Sequence, residues 1–220
     1  MLSHAALSAT PNPLAAAISA FIPGLGQVLQ GRMRPGLLSF GLCLGLVGLS
    51  IAIGRLAGAG AEVFLFMLVV FPAWVFQLYD AYLASTPAPD TLRRTWSLVW
   101  RQGHDVRYLG ALFLASAVMD LYIILKQPEY ALSVFCTKPA GLPGLLFKIQ
   151  SPTIHTFIGY GFLRLRRWAL LLYLAYAAFG LINAMANFAC FGYGRVRTAF
   201  LITLMGFTAY VWLRRETFRS

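Results

Sequence analysis

Long apolar runs separated by short basic turns dominate this chain. Runs of membrane length cover 36–54, 62–84, 108–126, 168–191 and 198–213. Each is close to the ~20 residues that a helix needs to cross a hydrocarbon core. The pattern predicts an all-α fold, a polytopic transmembrane helix bundle of six or seven helices with short loops. Two stretches leave the count open. Leu14 to Gln30 would span about 25 Å as a helix, the lower limit for a crossing. Pro23, Gly24 and Gly26 break it, so it is either a short kinked crossing or a re-entrant hairpin at one interface. Leu145 to Leu163 holds Lys148, Gln150, Ser151, Pro152 and His155, and reads as a crossing because a dense basic cluster, Arg164 to Trp168, follows it.

Charge gives the orientation. Placing Arg32, Arg34, Arg93, Arg94, Arg101, Arg107, Arg164, Arg166, Arg167, Arg214, Arg215 and Arg219 in the cytoplasm leaves six basic residues outside, namely Arg55, Lys126, Lys138, Lys148, Arg195 and Arg197. This excess follows the positive-inside rule and puts the C-terminus in the cytoplasm. The N-terminus is then outside with seven helices and inside with six.

Composition agrees. The chain has 220 residues, 59% of them hydrophobic and 11% charged, with a mean hydropathy of +0.70. Soluble domains carry about 25% charged residues. A formal charge of +11 could suggest nucleic acid. The basic residues instead flank apolar runs, which is what anionic headgroups select, so the expected partner is the bilayer and no nucleic acid. Met1 to Pro13 has no Lys or Arg and does not read as a signal peptide.

The chain divides into a module over 1–85, a basic amphipathic linker over 86–107 and a second helical module over 108–220. Within the linker, Leu92 to Trp100 carries Trp96 and Trp100 one turn apart beside arginines, the pattern of an interfacial helix. In the first module, Gly41, Gly45, Gly48 and Ala52 share one helix face, a stripe expected to pack against another helix of the same chain. Asp80, near the end of the returning helix, should come back to the level of Arg32 and Arg34. An ion pair, or bonds from Asp80 to amides freed by the broken elbow, is expected there. Pro72 predicts a kink.

The elbow also carries a resemblance. P-G-L-G-Q, then G-R-M-R-P-G-L, an apolar helix and W-V-F-Q-L-Y-D-A-Y at Trp74 to Tyr82 resemble the two-transmembrane-helix domain family. Gly24, Gly26, Gly31, Arg32, Gly36 and Asp80 stand at the matching positions, over about residues 12–85. Val28-Leu29-Gln30 departs from the aromatics usual before the family's turn glycine. The resemblance implies a non-catalytic membrane module. G-Y-G-F-L-R-L-R-R-W-A at Gly159 to Ala169 resembles a join found in small uncharacterised bacterial membrane proteins, which implies a bacterial inner membrane.

Candidate chemistry is sparse. No G-x-S-x-G, H-E-x-x-H, Walker A or paired-cysteine pattern occurs, so no catalytic residue, cofactor or metal ligand is expected. His4, His104 and His155 are isolated along the chain. Asp120 lies inside an apolar run, where an acid marks a functional site unless it pairs with Lys126 near the surface. Asn183 and Asn187 share a face with Gly180 and Cys190, and are expected to bond across the bundle. Cys136 and Cys190 could both face outward, but read as two unrelated thiols, and Cys43 as a packing residue. Three functions follow. The first is a non-catalytic scaffold or accessory subunit packing against another membrane protein or itself. The second is a small-solute or ion transporter or channel with a polar cavity around Asp120, His155, Asn183 and Asn187. The third is a membrane-embedded lipid-modifying enzyme, for which no nucleophile set is visible.

Overall fold

A computed structural model describes residues 12–83, 99–126, 129, 131–192 and 194–219. His4, Arg93, Arg94 and most of the predicted interfacial helix Leu92 to Trp100 lie outside the described residues. The described residues are helical, with no strand beyond two isolated bridges. Among the described residues, four helices are long and apolar enough to cross a membrane: Met33–Ala57, Ala59–Leu83, His104–Lys126 and Arg167–Phe191. The chain forms two compact units, 1–98 and 99–220.

In the first unit, α1 (Pro13–Phe21) starts where Asn12 accepts a hydrogen bond from the Ala15 amide at 3.0 Å and proline occupies the first turn. The Asn12 amide donates to the Tyr82 carbonyl at 2.8 Å, and the Trp74 indole donates to the Ala20 carbonyl at 3.2 Å. Helix α1 therefore runs beside the last helix of the unit for about 12 Å, eight residues at 1.5 Å each. The chain turns at Gly24, whose φ of 81° suits glycine, and a Cβ there would collide with the Gly36 carbonyl. Helix α2 (Leu25–Leu29) then climbs back, and Gln30 donates to the Ala81 carbonyl at 2.7 Å. The elbow is thus a hairpin that returns to its starting level.

Helix α3 (Met33–Ala57) and the helix Ala59–Leu83 form an antiparallel pair about the Gly58 turn. The second of these comprises α4 (Ala59–Leu65), a π-helical turn (Phe66–Val70) and α5 (Phe71–Leu83). The widened turn immediately precedes Pro72. It accommodates a residue that lacks an amide donor without breaking the helix. Helix α3 meets its partner through Cys43, Ser50 and Gly54 rather than through the predicted glycine stripe. A Cβ at Gly41, Gly45 or Gly48 would meet no atom within 4 Å, and Ala52 is exposed.

The second unit contains α6 (His104–Lys126), α7 (Gly141–Leu163), α8 (Arg167–Phe191), α9 (Arg195–Leu213) and a 3₁₀ turn (Arg215–Thr217). Helices α6 and α7 approach closely at two glycines. A Cβ on Gly110 or Gly159 would lie 2.8 Å from the other's carbonyl oxygen. The core below this crossing is aromatic, built on Phe162, Tyr173 and Phe218, all at or below 2% exposure. Phe218 is held there because Arg219 donates to the Leu165 carbonyl at 2.6 Å while the Arg167 amide donates to the Arg219 carbonyl at 3.0 Å. One end of this unit is rich in arginine. The other carries a disulfide between Cys136 and Cys190, with Cα atoms 5.6 Å apart, which corrects the expectation of two unrelated thiols. Fifty-four residues separate the two cysteines, and spacing alone does not show that α7 and α8 return the chain to the same end.

Candidate functional site

Among the described residues, three polar clusters hold the candidate residues Asp80, Asp120, His155, Asn183 and Asn187. The most chemically suggestive joins α6, α7 and α8. His155 Nδ1 lies 3.0 Å from Asp120 Oδ2 and 3.2 Å from Ser116 Oγ. Ser151 donates to the same Asp120 oxygen at 2.8 Å. His155 Nε2 lies 3.0 Å from the Tyr176 hydroxyl. Ser116, Asp120, Ser151 and Tyr176 thus form a ring of polar side chains around His155. Helix geometry explains the convergence: Ser116 and Asp120 are four apart on α6, Ser151 and His155 four apart on α7, so each pair shares a face.

The two sides of the ring differ. The Asp120 side chain is 26% exposed, and that of His155 12%. Toward the arginine end, Phe113 packs 5.4 Å from the imidazole and 5.8 Å from the Phe162, 5.8 Å from the Tyr173 and 5.9 Å from the Phe207 rings. Aromatic packing therefore closes the site on that side. Asp120 pairs with His155 rather than with Lys126, whose ammonium sits 6.0 Å over the Tyr122 ring.

Asn183 and Asn187 belong to a separate cluster at the disulfide end. Val134 to Thr137 is a tight turn closed by two backbone bonds of 2.9 Å each. Its central residues, Phe135 (φ 43°) and Cys136 (φ 67°), are left-handed without being glycine, which costs about 1–2 kcal/mol each. Asn183 accepts from the Phe135 amide at 2.8 Å and Asn187 from the Cys136 amide at 3.0 Å. The Nδ2 groups of Asn183 and Asn187 donate to the Ser133 carbonyl, at 3.3 and 3.1 Å. The predicted common face exists, but it holds a strained turn instead of bonding across the bundle. Asn183 lies seven residues, about 10 Å, beyond Tyr176 along α8. Asp120 and His155 therefore share one hydrogen-bonded cluster, and Asn183 and Asn187 belong to another.

The third cluster latches the elbow in the first unit. Arg32 makes two contacts with Asp80, Nη1 to Oδ2 at 2.9 Å and Nη2 to Oδ1 at 3.0 Å. Arg34 is exposed. The freed amides go to other side chains: Gly24 donates to Gln77 Oε1 at 3.1 Å and Gly26 to Ser19 Oγ at 2.8 Å. Gln77 donates back to the Ser19 carbonyl at 2.8 Å, and Gln27 bridges the Gln77 carbonyl at 2.8 Å and Asp80 at 3.2 Å. Ser19, Gln27 and Gln77 are almost fully buried and fully engaged, a structural role. Ser19, Gln27, Gln77, Ser116, Ser151 and Tyr176 were all missed from sequence. For Gln77, Ser116 and Ser151 the signal was a place three or four residues from Asp80, Asp120 and His155 on the same helix face; Ser19, Gln27 and Tyr176 have no such neighbour.

No set of three or more His, Cys, Asp or Glu is placed to hold a metal ion among the described residues. The ring around His155 also lacks the order of a Ser-His-Asp triad. There the acid and the serine take opposite imidazole nitrogens. Here Ser116 and Asp120 share Nδ1, and Nε2 faces a tyrosine. No family model, curated protein or solved structure matches the chain.

Proposed function

We propose that this chain is a multi-pass membrane protein whose second unit exchanges protons through Asp120, His155 and Tyr176, as part of proton-coupled transport across the membrane. The observation that carries this reading is the 3.0 Å contact between Asp120, on a helix long and apolar enough to cross a membrane, and His155 on the helix α7 packed against it. An acid inside an apolar span is costly, and by default marks a path for ions or protons. With a neutral imidazole, Nδ1–H donates to Asp120 and Nε2 accepts from the Tyr176 hydroxyl. With an imidazolium, Nε2–H donates to the Tyr176 oxygen while Nδ1–H still donates to the Asp120 carboxylate. One proton taken up at Nε2 thus reverses the hydrogen bond at Tyr176, with Asp120 as the counter-ion of the imidazolium. The aromatic packing under His155 favours exchange with the disulfide side. In this reading six helices cross, α1–α2 is re-entrant, and both termini are cytoplasmic.

The test uses purified full-length protein in proteoliposomes with an imposed pH gradient and an internal pH dye. Wild type should dissipate the gradient faster than empty vesicles. Asp120→Asn and His155→Gln should each slow it at least about 100-fold, the lower end of the range for a positioned proton-transfer group. Wild-type vesicles that behave like empty ones would sink the reading.

A second reading, an accessory subunit, is favoured by the open glycine face of α3. Gentle extraction from native membranes and intact-complex mass measurement tests it. A stoichiometric partner lost on Gly45→Leu supports it, and a lone chain opposes it.

A further inference from the structure

The arginine end of the second unit holds two adjoining clefts that the proton site does not use. One, of about 260 Å³, is lined by Trp100, Arg101, Gln102, Leu165, Arg214, Glu216, Thr217 and Arg219. The other, of about 320 Å³, is lined by Arg167, Arg215 and Glu216 at one end and by Leu170 and Leu171 along the helix. Glu216 lines both.

Arg214 is already neutralised. Its guanidinium makes bonds of 2.6 and 2.9 Å to Asp105, donates at 2.6 Å to the Trp100 carbonyl and stacks 3.7 Å over the Trp100 ring. That leaves Arg101, Arg167, Arg215 and Arg219, all exposed, facing one carboxylate. None of these four has a carboxylate partner within ion-pair distance among the described residues. The backbone bonds that tie Arg219 to Leu165 and Arg167 fix the chain that carries them. The second cleft therefore changes from cationic to apolar along its length, with Leu171 at 67% exposure.

We infer that this groove holds one anionic phospholipid, its phosphate between Arg167 and Arg215 and an acyl chain along Leu170 and Leu171. A soluble anion would use the guanidinium groups but leave the apolar length unfilled, whereas a phospholipid matches both. A basic pocket at the cytoplasmic end of a helix bundle is the setting in which headgroup recognition occurs.

The experiment is native mass measurement of the full chain released from nanodiscs of equal phosphatidylcholine and phosphatidylglycerol. Wild type should retain phosphatidylglycerol preferentially. Arg167→Gln with Arg215→Gln should lower that preference roughly 30-fold, from about fivefold per arginine near a lipid surface. Glu216→Gln, at an exposed site, should raise it about fivefold, so a result remains if the double variant folds poorly. Equal retention of both lipids by wild type, or no change in Glu216→Gln, would overturn the assignment. So would full displacement of the lipid by soluble glycerol phosphate, which would mark a site for the anion alone.

Discussion

Replacing Gln77 with leucine should release the elbow of the first unit. Leucine has nearly the volume of glutamine, so packing changes little while both side-chain hydrogen bonds vanish. The Gly24 amide and the Ser19 carbonyl would lose bonds of 3.1 and 2.8 Å. Both lie in a buried cluster where water cannot substitute. Each buried group left unpaired costs about 1–3 kcal/mol, so the loss is about 4 kcal/mol in the middle of the range. Gln30→Ala removes one bond at a half-buried position and should cost only about 1 kcal/mol. A local reporter is already present. Cys43 is the free cysteine of the chain and is 1% exposed in α3. Heating purified protein with a fluorogenic maleimide therefore reads the opening of this unit, because the remaining two cysteines are paired. Each kcal/mol moves the midpoint of a unit this size by roughly 4–8 °C, so Gln77→Leu should lower it by about 16 °C or more. Gln30→Ala should lower it by about a quarter as much. A Gln77→Leu midpoint within about 2 °C of wild type would refute the latch, since a 4 kcal/mol loss cannot be that small on the same scale.

Two further outcomes follow from the second unit. Gly159→Leu should prevent α6 and α7 from closing, because even a Cβ there would sit 2.8 Å from the Gly110 carbonyl; loss of the monodisperse peak on size exclusion checks it, and an unchanged peak and melting midpoint would count against the crossing. Asn187→Leu should destabilise the Val134–Thr137 turn by about 1–3 kcal/mol through the unpaired Cys136 amide, while the Ser133 carbonyl keeps its bond from Asn183. Faster reduction of the disulfide by dithiothreitol, followed by gel shift with a thiol-reactive polymer, would show it, and an unchanged rate would oppose it.

Helical character was legible from the apolar runs, because membrane-length helices need only hydropathy and length to be recognised. Asp80 and Arg32 were legible as neighbours for a simple reason: a hairpin returns its chain to the starting level. What escaped depends on partners that periodicity cannot name. The face carrying Asn183 and Asn187 was visible, but its partner is a turn whose left-handed residues are phenylalanine and cysteine, so no glycine or asparagine marked it. Asp120 and His155 were visible singly as polar residues in apolar runs. Their meeting depends on the helix register set by Gly110 and Gly159, which two isolated glycines do not announce. The glycine stripe of α3 was read as internal packing because small residues permit close approach, yet the hairpin closes on the neighbouring face through Gly54 and Glu62.

The disulfide also fixes a parity. Two cysteines joined by a bond lie on the same side of any membrane, so the chain between them must cross an even number of times. Only α7 and α8 lie between Cys136 and Cys190. Helix α8 is long and apolar enough to cross by composition, whereas α7 is interrupted by Lys148, Gln150, Ser151, Pro152 and His155. If α8 crosses, the bond requires α7 to cross with it, whatever its hydropathy. Where α8 crosses, one covalent link on one side of the bilayer thus carries α7 and His155 across with it, and exchanging either cysteine for serine would leave that coupling to packing alone.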